Sequence, residues 1–360
     1  MKVLDLSPTS YAQTLQTAAQ VIRDGGLVIF PTETTYGAGV DATNPAAVAK
    51  LLSYKARRVG KPLSIAVTDQ AMAEKYVNLT ESARSLYLRF LPGPVTVVSE
   101  DKGLLAPGVA SEFRTVGVRI PDFAFVKDLV AALGTPITAT SANASDAKRP
   151  YTISDIFDHL SQAQKNLIDL VIDAGRLPPN PPSTVIDTTS ATPIIFRQGS
   201  ISIPASDIWE STTEADTKAL AGKLLLKWWN PVRKTGIIIG LDGSLGTGKT
   251  IFTKGLAQFL GISEEITSPT YTYLEEYEYQ RHQTTGTMAH LDVWKIDSAE
   301  ALARLDIPAL VRPGTVVVIE WFSQVESWLA PELPSSVPLI RLQFQETPTG
   351  RTLHLYEPTK

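Results

Sequence analysis

The stretch Gly243-Ser244-Leu245-Gly246-Thr247-Gly248-Lys249-Thr250 fits the pattern G-x-x-x-x-G-K-[ST]. In that pattern glycines let backbone N–H groups approach phosphate oxygens, the start of a helix adds partial positive charge, and a lysine adds a full one. The apolar run Ile237-Ile238-Ile239-Gly240-Leu241 before it reads as a buried strand. After it, Ile251, Phe252, Leu256, Phe259 and Leu260 recur at helical spacing until Gly261. Strand, loop and helix in that order predict a P-loop α/β fold. Gly243, Gly246, Thr247, Gly248 and Lys249 are then the nucleotide-binding residues, and Thr250 offers a hydroxyl to Mg²⁺. About two hundred residues precede the loop, enough for a further domain.

The composition sets the limits. Of 360 residues 43% are hydrophobic and 19% charged, which is ordinary for a core-forming soluble protein, and the length fits two domains. No apolar run reaches the roughly eighteen residues that span a bilayer, and the opening Met1-Lys2-Val3-Leu4-Asp5 is not a signal peptide, so a cytoplasmic location is expected. There is no cysteine, and the four histidines at 159, 282, 290 and 354 lack zinc-ligand spacing, so any metal should be held by oxygen. Residues 1–204 carry 19 Lys+Arg against 18 Asp+Glu, and the remainder 14 against 19. Neither part is a generally basic nucleic-acid binder.

In the first part, Leu15, Ala18, Ala19 and Ile22 share one helical face that ends at Gly25-Gly26, and Leu27-Val28-Ile29-Phe30 is a buried strand. It leads into Pro31-Thr32-Glu33-Thr34-Thr35-Tyr36-Gly37, whose spacing by itself fits a hydrogen-bonded turn. A helix with Ala46, Ala47, Leu51 and Leu52 ends at Lys55-Ala56-Arg57-Arg58, and Lys61 follows. Those cations suit either a helix dipole or a polyphosphate. Arg119 interrupts the apolar strand Val116-Gly117-Val118-Arg119-Ile120, where a guanidinium needs an anion or several acceptors.

Taken in order, PTETTYG, the K-x-R of Lys55 and Arg57, PGPVT, VGVRIP, the S-x-N of Ser141 and Asn143, PSTV and a closing RQG resemble the YrdC-like (TsaC) family of L-threonylcarbamoyladenylate synthases over about residues 1–204. The resemblance implies a twisted, mixed α/β sheet with a large cavity. It implies condensation of L-threonine, bicarbonate and ATP to threonylcarbamoyl-AMP and pyrophosphate with Mg²⁺, the first step towards the t⁶A base of tRNA. By that resemblance Lys55, Arg57 and Arg119 are catalytic. Thr32 and Thr35 hold the amino acid, Ser141 and Asn143 grip the nucleotide, and Ser183 and Arg197 close the site. Tyr36 and Thr140, in the same motifs, count with the substrate contacts. Ala38 stands where leucine is commoner in the family.

Residues 205–212 show no clear period and read as a linker, with a second domain over 213–360 opening on an amphipathic helix from Thr213 to Trp228. Alternating Tyr273, Glu275, Tyr277 and Tyr279 mark a strand with a polar face. Asp292 in His290-Leu291-Asp292 and Glu320 after Val316-Val317-Val318-Ile319 are carboxylates beside apolar strands, where a nucleotidase holds Mg²⁺. SLGTGKT, SPTYT, H-x-D and IEW resemble TsaE, the small ATPase of the same t⁶A pathway, over about residues 211–357. That resemblance makes Thr250, Asp292 and Glu320 the Mg²⁺ ligands, gives Thr270 the γ-phosphate, and implies a TsaD/TsaB-type transferase partner through which tRNA is reached. Ser244, Trp294 and Lys295 replace the aspartate, tyrosine and arginine usual in that family, which bears on hydrolysis and on partner recognition. The expectation is a bifunctional t⁶A enzyme, with no membrane association. The rival reading is an RNA-binding regulatory protein with a nucleotide switch domain; a P-loop kinase lacks a phosphoacceptor signature here.

Overall fold

The computed structural model describes residues 1–55, 63–143, 148–203, 206–269 and 272–356. Two compact units emerge, Met1–Pro204 and Ala205–Lys360, and both are mixed α/β. None of the described helices is long and apolar enough to cross a membrane.

In the N-terminal unit one sheet runs in the order Lys2–Asp5, Leu170–Asp173, Val28–Phe30, Gly37–Gly39, Thr140–Ser141. Its first three strands are parallel and the remaining pairings antiparallel. A second sheet runs Ile194–Arg197, Thr184–Asp187, Val95–Asp101, Thr115–Arg119, Ser64–Ala66, Ile137–Thr138, with Val77–Asn78 beside Val95–Asp101. The chain passes from Ile137–Thr138 in one sheet to Thr140–Ser141 in the other within a few residues. The two sheets are thereby tied next to the S-x-N segment. The helix Tyr11–Arg23 buries Ala18, Ala19 and Ile22, as its spacing predicts, with Thr14 buried where Leu15 was expected and Leu15 half-buried, and Gly25 takes the positive φ that turns the chain into the strand Val28–Phe30. Pro45–Lys55 buries Ala47, Val48, Leu51 and Tyr54. Ala46, expected on that face, is exposed because the inward stripe continues to Tyr54 instead.

The C-terminal unit has one sheet in the order Ile208–Ser211, Gly350–Tyr356, Leu339–Thr347, Ile237–Asp242, Thr315–Glu320, Thr284–Asp292, Leu274–Arg281. The four strands from Leu339–Thr347 to Thr284–Asp292 are parallel, and antiparallel strands close both sides. Ile237–Asp242 is buried throughout, which explains its unbroken apolar run. The expected linker is corrected here. Residues Ile208–Ser211 are an edge strand paired with Gly350–Tyr356, and Trp209 is among the largest fully buried side chains. Four residues alternating out and in are too few to show as a period in sequence. The next helix, Glu214–Lys227, starts from a capping box of Thr213 and Asp216. It packs on the loop helix Lys249–Leu260 at Gly255, where a Cβ would lie 2.6 Å from Lys218 Cα.

Candidate active sites

In the N-terminal unit the segment Thr32–Gly37 is the hub. Thr32 Oγ1 donates to Thr35 O at 2.7 Å and accepts from the N–H groups of Thr34 and Thr35, so the hydrogen-bonded turn that the spacing allows does form. From this turn Glu33 reaches Arg119, which is buried at the end of its strand, and the two form an ion pair. Asn180 Nδ2 donates to Glu33 O at 2.8 Å and ties the proline-rich loop to the same place. On the other side, Gly37 pairs in register with Ser141, Ala38 with Thr140, and Ala142 N–H donates to Tyr36 O at 2.9 Å. Lys55, in the last turn of its helix, donates from Nζ to Ser141 O and Asn143 O, each at 2.8 Å.

Ser183 and Arg197 form a third group beside these. Arg197 Nε donates to Ser183 O at 3.0 Å, its Nη2 to Ser183 Oγ at 3.0 Å, and Thr96 Oγ1 lies 2.9 Å from Ser183 Oγ. Burial, then the neighbouring charges of Arg119 and Arg149, bring the Arg197 guanidinium down to about 10. Arg119 and Arg149 each act on the Arg197 guanidinium, and with Glu33 pairing Arg119 this positive corner suits an anion.

Of the expected site residues, Lys55, Ser141 and Asn143 come together, Thr140 extends their strand, and Arg119, Thr32, Thr35, Ser183 and Arg197 gather around the hub. Tyr36 is placed differently. Its side chain is fully buried and its hydroxyl is engaged by Asp173, Gly175 O and Ala174 N, so it holds the turn against the strand Leu170–Asp173. Arg57 lies outside the described residues. Glu33 and Asn180 are participants the motif reading passed over. An acid between two threonines, and an arginine in an apolar strand calling for one, was the available signal.

In the C-terminal unit three neighbouring parallel strands end on carboxylates, Asp242, Asp292 and Glu320, at the edge of the sheet from which the phosphate loop leaves. Leu241 and Asp292 are both register partners of Glu320. Lys249 is buried; its Nζ donates to Gly243 O at 2.7 Å and Ser244 O at 2.9 Å, and lies 4.1 Å from the centre of the Trp321 ring. Burial pulls its pKa below the ordinary lysine value, and Glu320, Asp292 and Asp242 work against that. Gly248 has φ +100°, a conformation glycine supplies without steric cost, and Thr247 Oγ1 donates to Ser244 O at 2.9 Å.

Thr250 Oγ1 donates to Glu320 Oε2 at 3.2 Å, while His290 Nε2 lies 2.9 Å from Glu320 Oε1. Asp292 accepts from Ser268 Oγ at 2.7 Å. Thr250, Glu320 and Asp292 are thus brought to one place, with Gly243, Gly246, Thr247, Gly248 and Lys249 in the adjoining loop. Thr270 lies outside the described residues. Trp321, His290 and Ser268 lie in the IEW, H-x-D and SPTYT motifs, but nothing local says that they face Lys249, Glu320 and Asp292.

A family model described as telomere recombination, covering the Sua5, YciO and YrdC proteins, matches residues 20–199, half of the chain. The chain belongs to the Sua5/YciO/YrdC family. A second model, for the threonylcarbamoyl adenosine biosynthesis protein TsaE, matches residues 211–352, so the C-terminal unit is a TsaE domain. Over 190 residues the chain is 32% identical to a threonylcarbamoyl-AMP synthase of Vibrio cholerae, covering 52% of this chain and 98% of that protein. It is 33% identical over 201 residues to the threonylcarbamoyl-AMP synthase of Bacillus subtilis, covering 55% of this chain and 57% of that one. The curated relatives of this Sua5/YciO/YrdC unit are named for an enzyme, and it is an enzyme domain. A crystal structure of P. abyssi Sua5 complexed with L-threonine shares the fold, with a TM-score of 0.53 and 19% identity over 94% of this chain and 99% of that one.

Proposed function

We propose that the N-terminal unit makes L-threonylcarbamoyl-AMP and pyrophosphate from L-threonine, bicarbonate and ATP. We further propose that the C-terminal unit binds and hydrolyses ATP in support of transfer to tRNA by a TsaD/TsaB-type partner. The observation that supports the first half best is the gathering of Lys55, Ser141 and Asn143 on one side of the Thr32–Gly37 segment and of Arg119 and Arg197 on the other. An amino acid and a triphosphate both need such cations and hydroxyls.

The chemistry needs no protein nucleophile. The threonine amine attacks the carbon of CO₂ with loss of a proton, or of bicarbonate with loss of water, to give the carbamate; a carbamate oxygen then attacks the α-phosphorus, and the bond to pyrophosphate breaks. Lys55 and Arg57 neutralise charge on the triphosphate as that bond breaks, and Ser141 and Asn143 hold the nucleotide in line. Thr32 and Thr35 position the amino acid, and Arg119 faces its carboxylate or the bicarbonate.

In the C-terminal unit Lys249 exchanges loop carbonyls for phosphate oxygens. Thr250, Asp292 and Glu320 are hard oxygen donors at one place and fit Mg²⁺, which when bound would offset charge on the terminal phosphates. His290 and Ser268 hold the two carboxylates in orientation.

The test is pyrophosphate release from ATP in bicarbonate with and without threonine. Threonine-dependent release, lost in Arg57→Ala, is expected; salt-sensitive RNA binding with no such release would favour the RNA-binding reading instead.

A further inference from the structure

Arg351 lies near the start of the strand Gly350–Tyr356, second from the edge of its sheet, paired in register with Glu346 on one side and Ser211 on the other. Its backbone is therefore fixed at the end of the sheet that carries the phosphate loop. The side chain runs back to that loop. A Cβ built on Gly248 would collide with Arg351 Nη1 and lie 2.9 Å from its Cζ, so the guanidinium fills the space that the missing side chain of Gly248 leaves open. Arg351 Nη1 is buried and has no hydrogen-bond partner among the described residues. A buried, unfilled guanidinium donor is costly unless something else occupies it. It stands on the loop proposed to hold a triphosphate, where a planar cation can bind phosphate oxygens through two donors.

We propose that Arg351 is a nucleotide-binding residue of the C-terminal unit, a guanidinium supplied by the unit's own C-terminal hairpin that contacts the phosphate chain beside Gly248 and Lys249. The assignment rests on the reading that this unit binds ATP. It gives the triphosphate a second cation from a part of the chain about a hundred residues beyond the loop motif.

The test is titration of the full-length chain with MgATP by calorimetry, alongside Lys249→Ala, Arg351→Gln and Arg351→Lys, with the melting midpoint of each. Lys249→Ala is expected to remove one ATP site. Arg351→Gln should weaken that same site by about tenfold to a hundredfold at an unchanged melting midpoint, the size of a lost charge-assisted contact. Arg351→Lys should recover part of the loss. If Lys249→Ala removes a site while Arg351→Gln binds within about twofold of wild type, the proposal is overturned and the ATP-binding reading stands. If Gln and Lys variants lose affinity equally and in step with a lowered midpoint, Arg351 is a packing residue and the proposal fails. If Lys249→Ala leaves the number of sites unchanged, the underlying reading falls and takes this one with it.

Discussion

A guanidinium in a strand whose residues are all buried must find a carboxylate, and Arg119 finds Glu33 eighty-six positions away in sequence. Neither residue is explained by its own neighbours. Removing one partner of such a pair leaves the other charge stranded, so Arg119→Ala should cost about 3 kcal/mol of stability, read from the denaturant midpoint. Adding Glu33→Gln should return most of that, whereas independent sites would show additive losses. Threonine-dependent pyrophosphate release should stay low in both, because the anion partner proposed for the substrate is gone. Gly248 carries a second prediction at this scale. Alanine there must adopt φ +100° and displace the Arg351 guanidinium. Gly248→Ala should therefore weaken MgATP binding at the second site by at least about tenfold, and calorimetry would show it.

Two elements meet closely enough for their residue choice to be read as packing. Gly199, the last residue of the RQG motif, lies against the chain that leads into Thr184–Asp187. A Cβ at Gly199 would collide with Pro182 O and stand 2.6 Å from Ser183 C and Thr184 N. Its own N–H donates to Thr184 Oγ1 at 2.9 Å. Gly199→Ala should push Arg197 off Ser183, and pyrophosphate release should fall more than the melting midpoint does. Gly255 does the same for the two helices of the other unit. Overpacking there should cost about 1–3 kcal/mol in Gly255→Ala, measured as a shift in the unfolding midpoint of the C-terminal unit. At this scale the sequence was legible where an element is long and periodic. The face of Tyr11–Arg23, the buried strand Ile237–Asp242 and the loop helix all follow from spacing. It was illegible where pairing makes the element, as at Ile208–Ser211, four residues that become a strand only because Gly350–Tyr356 lies beside them.

The whole molecule has a separate hydrophobic core for each unit, one built around Val28–Phe30 and the strands beside it, another around Val317, Ile319 and Leu291. A fragment of residues 1–204 is accordingly expected to fold alone and to release pyrophosphate with threonine at a rate comparable to the full chain. A fragment that folds but is inactive would show that the first site needs the second unit. What the sequence alone determined is local: the strand, loop and helix around Gly248, and the ordered motifs that mark the family, because each needs only neighbouring residues to take its shape. What only the tertiary structure decided is which residue each charged group meets. Glu33 goes to Arg119, His290 and Thr250 to Glu320, and Arg351 to Gly248, since strand order and register bring together residues that nothing in their own stretch of chain connects.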